Sequence, residues 1–234
     1  MKKRAPAEKD VLGPVRIEQG DAAYPASLTR FLGDRAPSLL FLIGNPDVIR
    51  REMLALFCSI KCPGNVILQT YDLAKALRDA DVPVIGGIHT PMEKECLALL
   101  LRGTQPIIVC PARGLERIRP SAGVKDGIRA GRVLLVSMFG PKYRRATADL
   151  ADQRNGLVAA LASRVFVSHA TPGGKTEALC REIIANGKRL FTVKCPENAN
   201  LLALGAKAAN AEDLAKQWHR DTTTQVERFP AAGG

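Results

Sequence analysis

The sequence lacks the cysteine and histidine patterns that mark disulfide-stabilised or metal-stabilised domains. Its six cysteines include no CxxC pair, and its three histidines have no ligand spacing to them. A chain of 234 residues buries roughly 70–75% of its unfolded surface, so that it needs neither disulfides nor a metal to fold. We therefore expect reduced, mostly buried cysteines, no metal site and a cytoplasmic protein.

Long apolar runs and aromatic residues are also scarce. No stretch approaches the roughly 18 apolar residues of a membrane span, and the basic residues 2–4 are not followed by the apolar core of a signal peptide. We therefore expect no association with a membrane. Aromatic residues make up only 5% of the chain, which disfavours the base-stacking surfaces of OB-fold and RRM proteins.

Acidic residues are outnumbered by basic ones. The chain has 34 Lys and Arg residues against 23 Asp and Glu residues, which gives a formal net charge of +11 at pH 7. Such a surplus favours nucleic acid or another polyanion as a partner. A basic protein without a polyanionic partner is the alternative.

Short apolar segments alternate with helical patterns from residue 54 onward. Continuous apolar strands separated by helices indicate a parallel sheet that is covered on both faces. The predicted fold is therefore α/β and Rossmann-like, with a mostly parallel sheet and helices on both faces. We predict a flexible leader at residues 1–22, a single domain at residues 23–210 and a polar, frayed tail at residues 211–234.

The stretch from residue 153 to residue 193 is the centre of this pattern. It is typical of a helix, a strand, a glycine-containing turn at residues 171–176, a second helix and a second strand. The N-terminus of a helix after such a turn favours anions. We expect the ammonium group of Lys175 and the amides of Gly173 and Gly174 to converge on one phosphate. We expect an exposed Arg154 to bind a second phosphate.

Six loops follow the predicted strands, and ligands of an open α/β sheet lie beyond these carboxyl ends. Five of the six loops carry Lys or Arg, and only one contains a carboxylate. The excess positive charge is therefore expected at one edge of the sheet. The candidate phosphate- and nucleic-acid-binding residues are Ser59, Lys61, Gly86, Gly87, His89, Arg113, Arg154, Asn155, Gly173, Gly174, Lys175 and Thr176.

Some polar residues allow a second interpretation. Glu93 follows Thr90 at the spacing of a capping box, which favours a helix cap over a catalytic carboxylate. His89 and His169 are candidates for acid–base chemistry or phosphate binding, with a plain loop role as the alternative. Cys62 precedes a predicted helix and is a candidate for a lowered pKa.

Motifs for nucleotide hydrolysis are incomplete. No GxGxxG follows the first strand, which disfavours a dinucleotide cofactor. Gly174, Lys175 and Thr176 resemble the end of a P-loop, but His169 stands where that motif has its first glycine. We therefore expect no ATP hydrolysis, and we assign no catalytic residue and no cofactor.

The order and spacing of several short motifs resemble the DNA-processing protein A (DprA, or Smf) family over residues 24–206. The motifs are Tyr24-Pro25-Ala26-Ser27-Leu28, Gly86-Gly87-Ile88, Gly114-Leu115-Glu116, Gln153-Arg154-Asn155 and Gly187-Lys188-Arg189. The resemblance implies a Rossmann-like protein that binds single-stranded DNA, forms a homodimer and delivers DNA to a RecA-type recombinase in DNA uptake and recombination. It also implies action by binding rather than by catalysis. The chain departs from the family pattern at Ile60, Pro91-Met92-Glu93, Leu97 and Gly156.

A second resemblance provides an enzyme alternative. Residues 172–177 are similar to the glycine-rich, phosphate-binding motif of the lysine-decarboxylase-like phosphoribohydrolases. In that alternative the protein hydrolyses or senses a nucleotide, and Glu177 is the general acid or base. Otherwise we expect Glu177 to be exposed on the first turn of its helix. A third interpretation is an adaptor that keeps the fold and self-association but has lost its ligands.

Overall fold

The computed structural model describes residues 14–228, with side chains described as far as residue 218 and at residue 220. Nine strands in this part of the chain form one sheet. They are β1 (Val15–Glu18), β2 (Leu39–Ile43), β3 (Leu54–Phe57), β4 (Val84–Gly86), β5 (Ile107–Val109), β6 (Val133–Ser137), β7 (Arg164–Val167), β8 (Arg189–Thr192) and β9 (Lys207–Ala208). Their order across the sheet is β1-β2-β6-β5-β4-β3-β7-β8-β9. Strands β3 to β9 are mutually parallel, and β2 and β1 extend the sheet in antiparallel fashion beyond β6.

Helices cover both faces of the sheet. The described helices are α1 (Ala26–Leu32), α2 (Gly64–Asp79), α3 (Pro91–Leu100), α4 (Ala122–Arg129), α5 (Ala148–Leu161), α6 (Lys175–Ala185), α7 (Ala199–Ala203) and α8 (Ala211–Arg228). Side chains of α2, α3, α4 and α8 pack in the core on one face, and side chains of α1, α5, α6 and α7 pack on the other. Strands β3 and β7 are buried along their whole length, as expected for the centre of a parallel sheet. The predicted fold class is confirmed.

The parallel part of the sheet is built outward from β3. The chain adds β4, β5 and β6 in turn on one side of β3, and then places β7, β8 and β9 on the other side. The strand order therefore reverses between β3 and β7. Because the loops after these two strands lead to helices on opposite faces of the sheet, a crevice opens between them, and this switch point is where ligands of open α/β sheets bind.

The predicted leader is shorter than residues 1–22. Residues 15–18 form β1, which pairs with β2 in antiparallel register, and Ile17 is buried against the sheet. The prediction is therefore wrong for these residues. A single buried side chain gives no hydrophobic pattern from which the sequence predicts a strand. An edge strand of this kind is held mainly by its backbone hydrogen bonds. Residues 1–13 lie outside the described residues.

The predicted polar tail is largely a helix. Residues 211–228 form α8, which packs on α2 and buries Leu214 and Trp218. These two residues, spaced i and i+4, are enough to dock one face of an otherwise charged helix. The prediction of a frayed tail is wrong for residues 211–228, and residues 229–234 lie outside the described part of the chain.

Local signals place α3 as predicted. The Thr90 hydroxyl accepts the Glu93 N–H at 3.2 Å, and the Glu93 carboxylate accepts the Thr90 N–H at 3.1 Å, so the capping box is confirmed. None of the described helices is long and apolar enough to cross a membrane. All six cysteines are free thiols, and the described residues contain no cluster of acidic, histidine or cysteine side chains that suits a metal.

Candidate nucleic-acid interface

A crevice of about 520 Å³ lies at the carboxyl ends of β3 and β7. We call it the switch-point crevice. Its walls come from the loops after β3, β4 and β7 and from the start of α5. It brings together eight of the predicted site residues: Ser59, Lys61, His89, Arg154, Asn155, Gly174, Lys175 and Thr176. The structure therefore brings these eight residues together in one crevice at the edge of the sheet where the sequence predicted a ligand.

The loops after β3 and β7 are tied to each other across the crevice. The Ser59 N–H donates to the carbonyl of His169 at 2.9 Å, and the Ser59 hydroxyl accepts the Thr171 N–H at 3.2 Å. His169 is buried, and its Nδ1 lies 3.0 Å from Oδ1 of Asn198. These contacts give His169 a structural role and fix the crevice walls relative to each other.

The Glu93 carboxylate satisfies the backbone at the ends of β3 and β4. It accepts the N–H groups of Cys58 at 3.1 Å and His89 at 2.8 Å, in addition to that of Thr90. Glu93 is itself buried. A buried carboxylate with several backbone donors is strongly held, so these three amides are already occupied by an internal anion. His89 keeps an exposed side chain at the rim.

Arg154 forms part of the floor of the crevice. Only 3% of the residue is exposed, and its Nη1 donates to the carbonyl of Cys110 at 2.9 Å. Its Nε donates to Oδ1 of Asn155 at 2.9 Å. Burial lowers the pKa of Arg154 from its usual value. The expectation that Arg154 is exposed is wrong, because Arg154 faces inward from α5 beside Leu150, Leu157 and Val158, which are buried on the same face.

The glycine turn before α6 is also satisfied internally. The Gly173 N–H donates to Oε2 of Glu177, and the Gly174 N–H donates to the carbonyl of Thr171 at 3.0 Å. The expectation that these two amides converge on a phosphate is therefore wrong. Glu177 is buried and also accepts a bond from Arg181 at 3.1 Å, so the expectation that it is exposed is wrong too. A carboxylate in the first turn is favoured by the helix dipole, and here it caps its own turn.

Lys175 is the exposed cation at the start of α6. Its side chain is 65% exposed and forms an ion pair with Asp152 of α5. This hydrogen bond raises the pKa of Lys175. Lys175 and Thr176 are the first two residues of the helix, so their N–H groups have no acceptor within it. The crevice therefore offers an ammonium group and two helix-terminal amides, next to a carboxylate that competes for the ammonium.

The remaining predicted residues lie elsewhere. Gly86 and Gly87 are buried beneath the crevice, Gly173 lies just outside its wall, and Arg113 lines a second cavity on the same edge of the sheet. The sequence interpretation missed Asp152, whose pairing with Lys175 spans 23 positions of the chain. The pattern of α5 carries no signal for this pairing. The role of Glu177 was detectable, since it is an acidic residue that directly follows the turn at residues 171–176.

The fold and the crevice define a Rossmann-like α/β protein with a basic-rimmed crevice at its switch point. The family model for DNA recombination-mediator protein A matches residues 16–219. The chain belongs to this family, and the resemblance predicted from the motifs is confirmed.

Several solved structures share this fold. DNA processing protein A from Streptococcus pneumoniae has a TM-score of 0.72 and 21% sequence identity, over 88% of this chain and 74% of that one. The protein from Helicobacter pylori, whose structure describes a single-stranded DNA binding mode, has a TM-score of 0.72 and 18% identity, over 89% of this chain and 96% of that one. The molybdenum cofactor carrier protein of Chlamydomonas reinhardtii has a TM-score of 0.50 and 12% identity, over 75% and 99% of the two chains. At these identities the matches show a shared fold. No curated protein matches the sequence.

Proposed function

We propose that this protein binds single-stranded DNA by its phosphate backbone, with the switch-point crevice as the central contact, in DNA processing and recombination. The observation that carries the proposal is the set of groups around that crevice. Lys61 and Lys175 present exposed ammonium groups, Ser59 and Thr176 present hydroxyls, and the amides at the start of α6 are open. Such groups bind phosphates without reading bases. Family membership and the single-stranded DNA bound by the Helicobacter pylori relative support the same ligand.

The crevice favours backbone contacts over base stacking. Phe57 is its one aromatic wall residue among the described residues, and Phe57 is buried in β3. The exposed apolar residue is Ile60, which is 74% exposed at the rim. An apolar side chain there contacts a base through its face and excludes water without distinguishing one base from another. We therefore expect binding with little sequence preference.

Occupied amides make side chains the main phosphate ligands. Because Glu93 and Glu177 bind the backbone N–H groups that a phosphate would otherwise use, the strand must be held mainly by lysines at the rim. In the described part of the chain Lys61 has no ion-pair partner, and Lys175 has only Asp152. Binding of this kind is driven by counterion release and is sensitive to salt.

The finer expectations from the family resemblance extend this proposal. They are a homodimer, delivery of DNA to a RecA-type recombinase and a cytoplasmic location. Delivery of DNA requires a DNA-binding site on this chain, and we assign that site to the switch-point crevice.

Fluorescence anisotropy of a labelled thymidine oligonucleotide at several salt concentrations tests the proposal. The logarithm of the binding constant should fall linearly with the logarithm of the salt concentration, with a slope of about −0.7 for each phosphate contact. Lys61→Ala should make the slope shallower by about one contact, and Lys125→Ala, which removes an exposed lysine of α4, should leave it unchanged. Saturable binding without salt dependence would overturn the backbone mechanism. No binding at low salt would instead favour an adaptor.

A parallel assay addresses the enzyme alternative. The Glu177 carboxylate is bonded to Gly173 and Arg181, which occupies the group that a phosphoribohydrolase would need as its general acid or base. Incubation with nucleoside monophosphates should therefore release no free base. Release of free base that is lost in Glu177→Gln would establish the enzyme.

A further inference from the structure

A second cavity lies on the same edge of the sheet, between the loops after β5 and β6. Its volume is about 240 Å³. Three arginines and a single carboxylate stand around it: Arg113, Arg117, Arg144 and Glu116. We call it the three-arginine cavity. One strand, β4, lies between its β5 wall and β3, so β5 and β3 are about 10 Å apart at ordinary strand spacing.

The three guanidinium groups are free to bind a ligand. In the part of the chain that the structure describes, none of them donates a hydrogen bond or forms an ion pair. Other exposed cations do pair with a neighbouring carboxylate, as Arg129 does with Asp126 at 3.2 Å. Three like charges around one small cavity repel each other unless an anion lies between them.

The walls of the cavity are held in place. The Gly114 N–H donates to the carbonyl of Tyr143 at 2.8 Å, which ties the loop after β5 to the loop after β6. The Ser137 hydroxyl donates to the carbonyl of Arg113 at 2.8 Å. A Cβ atom at Gly114 would lie 2.6 Å from the carbonyl oxygen of Gly140, so this close approach requires a glycine. A cavity fixed before binding loses little entropy when its ligand enters.

Charge and size select the class of ligand. Three guanidinium charges against the carboxylate of Glu116 leave two net positive charges, and a phosphate monoester carries about −1.5 to −2 at pH 7. An internal phosphodiester carries a single charge. Arginine matches phosphate oxygens with paired N–H donors. The cavity is smaller than the roughly 300–1,000 Å³ of sites that enclose a whole small molecule, so it accommodates a phosphate group and leaves the rest of the ligand outside.

We propose that the three-arginine cavity binds a phosphate monoester, which is the terminal phosphate of a nucleic-acid strand or the phosphate of a free mononucleotide. This site is separate from the switch-point crevice and adds a preference for phosphorylated ends to any strand held there. Its ligand is defined by the monoester, whether or not the crevice binds DNA.

Short ligands test the site independently of the crevice. Isothermal titration with thymidine monophosphate and thymidine, and with the thymidine dinucleotide carrying or lacking a 5′-phosphate or a 3′-phosphate, compares ligands that differ only in the monoester. A monoester should bind at least about tenfold more tightly than its unphosphorylated partner, the effect expected for charge-assisted hydrogen bonds. Equal binding of the phosphorylated and unphosphorylated ligands would overturn the proposal.

A double variant locates the effect. Arg117 and Arg144 are exposed, so Arg117→Gln with Arg144→Gln should leave folding unchanged, which circular dichroism checks, and should abolish the preference for the monoester. The charge-matched control is Arg102→Gln with Arg129→Gln, at the exposed turn after α3 and the exposed end of α4, which should retain the preference. A preference that survives in the first variant would refute the assignment to this cavity.

Longer oligonucleotides identify the source of the monoester. If a terminal phosphate strengthens binding of a ten-nucleotide strand in the wild type and not in the double variant, the ligand is a strand end. If it adds nothing while thymidine monophosphate still binds through the arginines, the ligand is a free mononucleotide. Failure of long strands to bind at all would reject the DNA-binding proposal and leave the result with thymidine monophosphate intact.

Discussion

The guanidinium group of Arg154 fills the space that a side chain at Gly87 would need. A Cβ atom built on Gly87 would overlap the Nη1, Cζ and Nε atoms of Arg154. Nη1 also donates to the carbonyl of Cys110. Gly87 follows β4 and Cys110 follows β5, so one arginine of α5 connects the ends of two strands beneath the switch-point crevice.

Substitutions at this contact should destabilise the fold. Gly87→Ala places a methyl group against the guanidinium and should lower the free energy of unfolding by about 1–3 kcal/mol, as overpacking does. Arg154→Met should cost about 1–3 kcal/mol, because it leaves the buried Cys110 carbonyl without a donor. Urea denaturation measures both. Gly64→Ala is the control, because a Cβ atom there meets nothing within 4 Å. Equal urea midpoints for Gly87→Ala and Gly64→Ala would contradict this account.

The sequence predicted the place of Arg154 but not its surroundings. Its position near the sheet edge followed from the alternation of strands and helices. Its burial depends on the start of α5 at Ala148, so that Arg154 lies in the second turn rather than at the exposed helix start. Helical spacing from Leu157 and Val158 would have indicated the buried face. The bond to Cys110 spans 44 positions and depends on tertiary packing alone.

Substitutions of the two ion-paired residues Lys175 and Asp152 should change DNA affinity in opposite directions. Asp152→Asn releases the ammonium of Lys175 and removes a negative charge from the crevice, so DNA binding should strengthen by up to about fivefold, the range of exposed ion pairs. Lys175→Ala should weaken binding severalfold and make the salt slope shallower by about 0.7. Anisotropy titrations at low salt measure both.

A matched pair controls for general charge effects. Lys75 and Asp72 form an exposed ion pair at 3.2 Å on α2, so Asp72→Asn and Lys75→Ala change the net charge equally. Both should leave the affinity for DNA within twofold of the wild type, a difference of about 0.4 kcal/mol in binding free energy. If they shift affinity as much as the crevice variants, binding follows net charge and the crevice is not the site.

Glu93 should matter more for stability than its neighbour Glu95. The Glu93 carboxylate accepts three backbone N–H groups. Glu93→Gln replaces one of its two oxygens with an NH₂ group, which cannot accept a hydrogen bond. We expect a loss of about 1–3 kcal/mol in the free energy of unfolding. Glu95→Gln, at an exposed position of the same helix, should cost less than about 0.5 kcal/mol. Thermal denaturation of the two variants provides the comparison, and a similar loss in both would show that the Glu93 bonds contribute little.

Cys62 should be the most reactive of the six thiols. A hydrogen bond from the Cys58 side chain lowers the pKa of Cys62, and Cys62 lies just before the N-terminus of α2, where the helix dipole favours a thiolate. Burial raises the pKa values of Cys96, Cys110 and Cys180 to about 12.

Alkylation followed by mass spectrometry measures this order. Because the thiolate is the reactive form, iodoacetamide should modify Cys62 first, and the rate should reach half its maximum below the pH expected for an ordinary thiol. Cys195 is the comparison, since it is half-buried like Cys62 but burial raises its pKa. Faster modification of Cys195 than of Cys62 would contradict the role of Cys58.

The backbone N–H of Gly173, in the turn before α6, binds a carboxylate of the chain itself. Two glycines, one lysine and a helix start at residues 171–176 predicted an anion at this turn. The anion that the structure places there is the chain's own Glu177. A sequence pattern identifies the groups that attract negative charge, but whether a side chain or a ligand supplies that charge depends on the path of the backbone in the turn.

Trp218 is the single tryptophan of the chain, and it lies beside the amino end of β7. Its ring packs 4.6 Å from the guanidinium carbon of Arg164, at the first residue of β7. The switch-point crevice opens beyond the other end of that strand. The indole emission should therefore report the docking of α8 and stay unchanged when a ligand enters at the opposite edge. The protein thus carries an optical probe of its own folding at the edge of the sheet opposite the switch-point crevice.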